Sequence, residues 1–591
     1  MIEKYYEEEL RYLYESGREF ARAHPDRAQL LNVDAVGDRD PYVERLFEGF
    51  AFLAARIREK LDDSFPELTE GLFNLMWPGL LQEIPSVAIV QFKARTGLLQ
   101  ETRVLQRGSE LLSAPVGPEL AVCKFTTTSD VRLNPLSLSN VVKTVDTKGK
   151  ATLTFQLKLD PGVQMKNLKL SPLRVYLHAE TPSALMLHEF LTRHVTAARI
   201  SAGNHALAGD NTLSCDVDPA CAVTPCGMAE GESILPQTGR SFSGFALLLE
   251  YFVYPEKFLF VDLNGFENLP FSEETPESLS YSITFDKDFP PDRPFSRDNF
   301  RLFCAPAANI FKKDAEPIHM SGLETEYRVV ADTSYPTSFF THSVIGIEGI
   351  ERATGKRSAY EPLYSFSSGG SRRPRTFSTQ YRFAPDGRRD LYITLGGDLL
   401  SASGKNEIRE ENLSIDVYAT NGILPREEIR EGGIINPGTN FPDYVSFSNI
   451  TRPTLPSQPP KNDEYLWSCI AHLSSTYTTL SSPDTLKALL RLYDWSRSEG
   501  RSRRIDAITD ATSKPIERLV NGSALRGVEF TISLVESNFV DIGDIHLFGQ
   551  VIKEFLSQYV SINTFLDLVI VLKPSGATVR WQSLEGKKWL I

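Results

Sequence analysis

The stretch from Asp40 to Leu81, DPYVERLFEGFAFLAARIREKLDDSFPELTEGLFNLMWPGLL, constrains this chain more than any other. Asp40 can cap a helix, and Pro41 can take its first position, where a missing N–H costs nothing. Val43, Leu46, Phe47, Phe50, Leu53, Ala54, Ile57 and Leu61 then recur at three- and four-residue steps. That spacing predicts one apolar stripe on a helix of roughly five turns or more. A second helix is expected to open around Phe65-Pro66-Glu67, bury Leu68, Leu72, Leu75 and Met76, and stop near Trp77-Pro78-Gly79. Upstream, Ile2, Tyr6, Leu10, Leu13, Gly17 and Phe20 share a helical face that ends before His24-Pro25, with Glu7 to Glu9 in the early turns where the helix dipole favours them. Residues 1–84 are therefore expected to be helical, with little material for a closed core. Such seams complete themselves against other chains. Tyr6, Leu10, Leu13, Phe20, Leu46, Phe47, Phe50, Leu53, Ile57 and Leu61 are candidate interface residues on this ground.

A chain of 591 residues is too long for one compact core and should divide into several domains. Lys plus Arg number 63 against 76 Asp plus Glu, a formal charge of −13, which on average repels nucleic acid and anionic lipid. Basic clusters at Arg372, Arg373 and Arg375, at Arg388 and Arg389, and at Arg501, Arg503 and Arg504 read as solvated loop charge, because no aromatic stacking pattern accompanies them. The opening MIEKYYEEEL lacks a secretory pattern, and FALLLEYFVY and FLDLVIVL are too short to span a membrane. A cytoplasmic location is the expectation.

After Ile84-Pro85 the pattern changes. SVAIVQF, KFTTT, ATLTFQLKL and LRVYL read as short strands, followed by a helix from Thr181-Pro182 to about Ile200 that buries Leu185, Leu191 and Val195. Residues 201–240 look like a long connector. FSGFALLLEYFVYPEKFLFVDLNGF predicts a helix up to Tyr254-Pro255, a strand in FLFVDL and a turn at Asn264-Gly265. Further strands run to about residue 455, and TRPTLPSQPPKND is a proline-rich linker. Beyond it lie helices at 464–475 and 482–495, the strand VEFTISLV, the helix LFGQVIKEFLSQYVS and strands FLDLVIVLK and ATVRW. The fold class is thus multidomain α+β. It comprises a helical partner-binding segment (1–84), a β-rich domain with one helix and a long loop (85–240), a second β-rich domain (241–455) and an α+β carboxy-terminal domain (456–591).

Cys215, Cys221 and Cys226, with His205 upstream, lack the paired short spacing of a zinc hook and read as free thiols. His188 and His194 stand six apart, which does not share a helical face, and read as surface or satisfied core histidines. No nucleophile elbow, phosphate loop, HExxH or dinucleotide fingerprint appears. Neither an enzyme nor a cofactor is supported.

The residues carry a family resemblance. YYEEELRYLYESGREFARAHP and DPYVERLFEGFAFLAARIREKLDDSFPELTE resemble the amino-terminal signature of the bacterial type VI secretion baseplate subunit TssF, also called VasA or ImpG. EYFVYPEKFLFVDL, LFCAPAANIFKKDAEPI and LFGQVIKEFLSQYVSINTF resemble further blocks of it. TNGILP, at Thr420 to Pro425, departs from the family, which commonly has a basic and an acidic residue between Asn and Leu-Pro. The resemblance implies a phage baseplate wedge-like structural protein. It implies two TssF to one TssG, recruitment of TssK and the sheath initiator TssE, and a position around the hub spike beneath sheath and tube. It also implies docking at the inner face of the inner membrane, with membrane contact only through the platform and no nucleic acid. On this basis Leu547, Phe548, Phe555 and Tyr559 are expected to touch neighbouring copies or wedges. The competing expectations are a wedge protein of a phage or other contractile particle, and a soluble β-sandwich enzyme or carbohydrate-binding protein.

Overall fold

The computed structural model describes residues 2–23, 41–62, 79, 81–203, 213–236, 243–269, 276, 278–320, 324–352, 354–363, 374–384, 388–397, 410–439, 441–460, 465, 467–469, 471, 479–496, 498–520, 523–560 and 564–585. The chain is α+β and β-rich, and it divides into two units. The smaller comprises the described residues of 1–76 and 461–470, and the larger those of 77–460 and 471–591.

In the smaller unit two helices of equal length pack on each other, α1 (Ile2–Ala23) and α2 (Pro41–Asp62). Glu44 lies in the first turn of α2, where the amide dipoles favour a carboxylate. The expected cap at Asp40 and the expected helix from Phe65 to Trp77 lie outside the described residues.

Alternation builds the larger unit. Ala151–Leu159 buries every second side chain, as ATLTFQLKL requires, and pairs antiparallel with Ser278–Phe285, which pairs in turn with Val195–Gly203. Leu213–Val217 and Leu136–Val145 flank them in a five-stranded sheet. A six-stranded sheet interleaves early and late segments: Val90 stands opposite Ala305 on one side and Asn449 on the other. An eight-stranded sheet between Phe311 and Thr420 closes over Ile347, Leu391, Ile393, Leu413, Ile415 and Val417.

The helix α3 spans Thr181–Arg193 and not the expected reach to Ile200. Val195 opens a strand instead, because VTAARISAG pairs between Ser278–Phe285 and Leu213–Val217 and its β-branched residues suit the pleat. Residues 201–240 are likewise more ordered than a connector: Leu213–Val217 pairs with Val195–Gly203, and Val223–Pro225 pairs with Phe260–Leu263. The helix α4 (Ser243–Val253) and the turn at Gly265, with φ 94°, fall where the sequence puts them.

At the carboxy-terminal end come α5 (Pro483–Tyr493) and α6 (Glu499–Asp506), then the hairpin Ile508–Val520 and Ser523–Val535, then α7 (Ile542–Ser557). The last of these carries the chain to Thr564–Lys573, parallel to Ser523–Val535, as a crossover helix must. It crosses α3 so closely that a Cβ on Gly543 would lie 2.5 Å from the Leu185 carbonyl oxygen. Only glycine fits there.

Candidate functional site

On α2 Phe52 is 46% exposed to one side, and Tyr42, Leu46, Phe50, Leu53 and Ile57 are 60–85% exposed. At 100° per residue they fall within about 80° of arc and extend for about 22 Å. The opposite face is closed, since Ala51 and Ala55 are buried and Phe47 meets Tyr14 of α1 with ring centroids 6.0 Å apart. One helix therefore has an inner face fitted to its neighbour and an outer apolar face. Ladders of this kind on one side of a folded chain mark interaction sites.

The structure sorts the candidate residues accordingly. Leu46, Phe50, Leu53 and Ile57 line the outer stripe. Phe47 belongs to the inner face and is half-buried. On α1, Tyr6, Leu10 and Leu13 are half-buried. The side chains of Phe20 and Leu61 lie outside the described residues. Tyr42 completes the stripe, and its position four residues before Leu46 was the signal for it.

Leu547, Phe548, Phe555 and Tyr559 are corrected. All are buried within the chain's own core, with Leu547, Phe548 and Phe555 at 1% exposure or less. Phe548 packs on Tyr251 and Phe539, and Phe555 on Phe245 and Tyr559. Even the polar Asp544, His546 and Gln550 of this helix are buried, so it offers no free seam.

Of the described arginines read as solvated charge, Arg388 and Arg503 are exposed, while Arg375, Arg389, Arg501 and Arg504 are part-buried and are corrected. Arg504 holds Asp544 at 2.9 Å, and Arg501 donates to the carbonyls of Phe252 and Val253 at the end of α4. Arg375 is paired with the buried Glu411. These cations clamp segments together and satisfy helix-end carbonyls. Arg372, Arg373 and His205 lie outside the described residues.

His194 bridges Glu189 and Asp286 at 3.0 Å each. His188 differs from the satisfied core histidine expected: it is wholly buried, neither ring nitrogen has a hydrogen-bond partner, and its ring faces that of His546 at 6.2 Å. Burial lowers the pKa of His188 to about 4 and holds His546 well below its usual range. Cys215 is half-buried, Cys221 exposed and Cys226 buried. Among the described residues no three His, Cys, Asp or Glu converge as metal ligands, and no helix is long and apolar enough to cross a membrane.

Comparison with known proteins bears on the same helices. The family model for the type VI secretion system protein TssF matches residues 1–588. Type VI secretion system component TssF1 of Pseudomonas aeruginosa is 28% identical over 637 aligned positions, covering 99% of this chain and 98% of the relative. A chain in the cryo-electron microscopy structure of the type VI secretion TssK-TssF-TssG baseplate subcomplex is 31% identical, with a TM-score of 0.78, over 92% of this chain and 99% of that one. A chain in a structure of the type VI secretion baseplate complex is 31% identical, with a TM-score of 0.66, over 100% of both.

Proposed function

This chain belongs to the TssF family of the type VI secretion system, and we propose that it is a structural subunit of the baseplate wedge whose α2 stripe seats a helix of TssG. The observation that carries this reading is the outward alignment of Leu46, Phe50, Leu53 and Ile57 on a helix whose other face is occupied. A relative is a component of a TssK-TssF-TssG subcomplex, which makes a helix of that assembly the natural occupant.

Covering a large aliphatic or aromatic side chain stabilises by roughly 1.5–3 kcal/mol. Association costs about 4–15 kcal/mol in lost freedom. Docking therefore requires most of the stripe to be covered together, and a single polar substitution within it is felt strongly.

In this reading two copies of the chain share one TssG. The wedge then recruits TssK and TssE and closes around the hub spike beneath the sheath and tube. The chain works in the cytoplasm and meets the inner membrane only through the assembled platform. Its role is to hold positions, and no turnover is asked of it.

Co-expression with TssG, followed by size exclusion with in-line mass measurement, tests the reading. A complex of two copies of this chain with one TssG is expected. A monomer eluting beside free TssG overturns it.

A further inference from the structure

The hairpin of Glu110–Val116 and Ala121–Thr127 turns at residues 117–120. Leu120 donates its amide to the Gly117 carbonyl at 3.2 Å and has φ 50°, in the left-handed region that glycine or asparagine enters at lower cost than leucine. Packing does not offset that cost, because the Leu120 side chain is 69% exposed. A strained leucine turned to solvent serves something other than the fold.

The turn is held from two sides. A Cβ on Gly117 would stand 2.9 Å from Leu424 Cδ1, so the loop 421–424 abuts it. The Glu119 carboxylate accepts from the Ser338 hydroxyl, which ties it to the turn at 335–338. Asn421, wholly buried, locks these segments together: it accepts from the Lys124 amide at 3.2 Å and donates to the Ser338 carbonyl at 2.8 Å. Three turns therefore form one platform, and each shows one large apolar side chain: Leu120, Ile423 at 50% exposure and Tyr335 at 38%. The open charge on the platform is negative. Hydrogen bonds from Ser338 and Thr337 hold the Glu119 carboxyl below the usual carboxylate range, and both partners are neutral. The neighbouring Asp332 is engaged by Lys313 at 2.9 Å, and Arg426 is turned to the Pro453 carbonyl at 3.1 Å.

We propose that this platform docks a segment of a protein partner in which an aliphatic side chain lies within one or two positions of Lys or Arg. The aliphatic group covers Leu120 and Ile423, and the cation pairs with Glu119. A cation gains more from an ionised acceptor than from a neutral one, and the sign of the charge disfavours nucleic acid and anionic lipid. Because the turns are already fixed, little ordering is left to cost affinity on docking. The platform and the α2 stripe belong to different units, so this inference stands apart from the wedge reading.

Two labelled decapeptides in a Ser/Gly background, one carrying Leu-Lys-Lys and one Leu-Glu-Glu, titrated against the full chain by fluorescence anisotropy, test it. The basic peptide is expected to bind at least about tenfold tighter. The net charge of −13 attracts any basic peptide, so two variants carry the assignment to this site. Leu120→Gly is expected to weaken the basic peptide about fivefold or more while the unfolding midpoint holds or rises, since glycine relieves the left-handed backbone. Glu119→Gln keeps an acceptor for Ser338 and is expected to bring the two peptides within about threefold. Equal binding of the peptides by the unaltered chain, no saturable binding of the basic one, or a preference kept in Glu119→Gln overturns the proposal. Undiminished binding by Leu120→Gly, or a lowered midpoint that assigns Leu120 to packing, overturns it too. A photo-crosslinker at position 423 of the full chain, purified with its partners, gives a second reading. Attachment to another protein within two positions of Lys or Arg supports it, while attachment only to this chain, to a second copy of it, to lipid or to nucleic acid overturns it.

Discussion

The rings of Tyr14 and Phe47 meet edge to face, with centroids 6.0 Å apart and planes at 62°, and this contact helps fix which side of α2 is turned to α1. Phe47→Ala is expected to weaken the helix pair by about 1–3 kcal/mol. Hydrogen exchange should quicken along α1 and α2 while the strands of the larger unit keep their protection. Unchanged exchange in both helices would contradict the assignment of Phe47 to the inner face.

Arg504 and Asp544 form a second fixed pair, 2.9 Å apart and almost wholly buried, joining α6 to α7. Asp544→Ala leaves the guanidinium buried without its carboxylate and is expected to lower stability by about 3–5 kcal/mol. The double change Arg504→Met with Asp544→Leu should recover most of that loss. Denaturant midpoints measure both.

Acid should destabilise the larger unit through its buried histidines. His188 and His342 have pKa values lowered from 6.5 to about 4, chiefly by burial. A base lowered on folding binds its proton more readily in the unfolded chain, so its stability contribution is intact above pH 6.5 and is lost as pH falls from 6.5 toward 4. At about pH 5 His188 alone removes about 2 kcal/mol. Unfolding free energies at about pH 7 and pH 5 are expected to differ, and His188→Leu is expected to shrink that difference by about the same amount. An equal difference in the variant would contradict the burial assigned to His188.

Thiol labelling checks the burial map. Cys221 is exposed and Cys215 half-buried, while Cys123, Cys226, Cys304 and Cys469 are buried. Burial also pushes the Cys123 and Cys469 thiols up to about 12, which suppresses the reactive thiolate. A maleimide reagent is expected to modify Cys221 rapidly, Cys215 more slowly, and the other four only after denaturation. Rapid loss of all six free thiols in the folded chain would contradict the sheet packing.

How much of this was legible in the sequence depends on the range of the information. The outer stripe of α2 was readable because its apolar positions sit opposite Ala51 and Ala55 on the same helix, a pattern contained within one segment. The turn at Gly265 and the alternation of Ala151–Leu159 were readable for the same reason. Partner choice was not. Nothing near Val90 says that Asn449 will lie beside it, and nothing near Arg504 says that Asp544 will receive its charge. The misplacement of Leu547 and Phe555 is of the same kind: His546, Gln550, Lys553 and Ser557 give α7 a polar stripe such as a surface helix has, and nothing local says that other segments will cover it.

The central claim rests on the outer face of α2, and its most direct test is co-purification with TssG of Leu46→Asp with Phe50→Asp, beside Phe47→Ala as a control for the inner face. Both substituted positions are exposed, so the unfolding midpoint of the chain should hold while the complex with TssG is lost, by at least about a hundredfold in affinity. A complex of unchanged affinity and stoichiometry from the folded double variant would contradict the claim that this stripe is where the subunit joins its wedge.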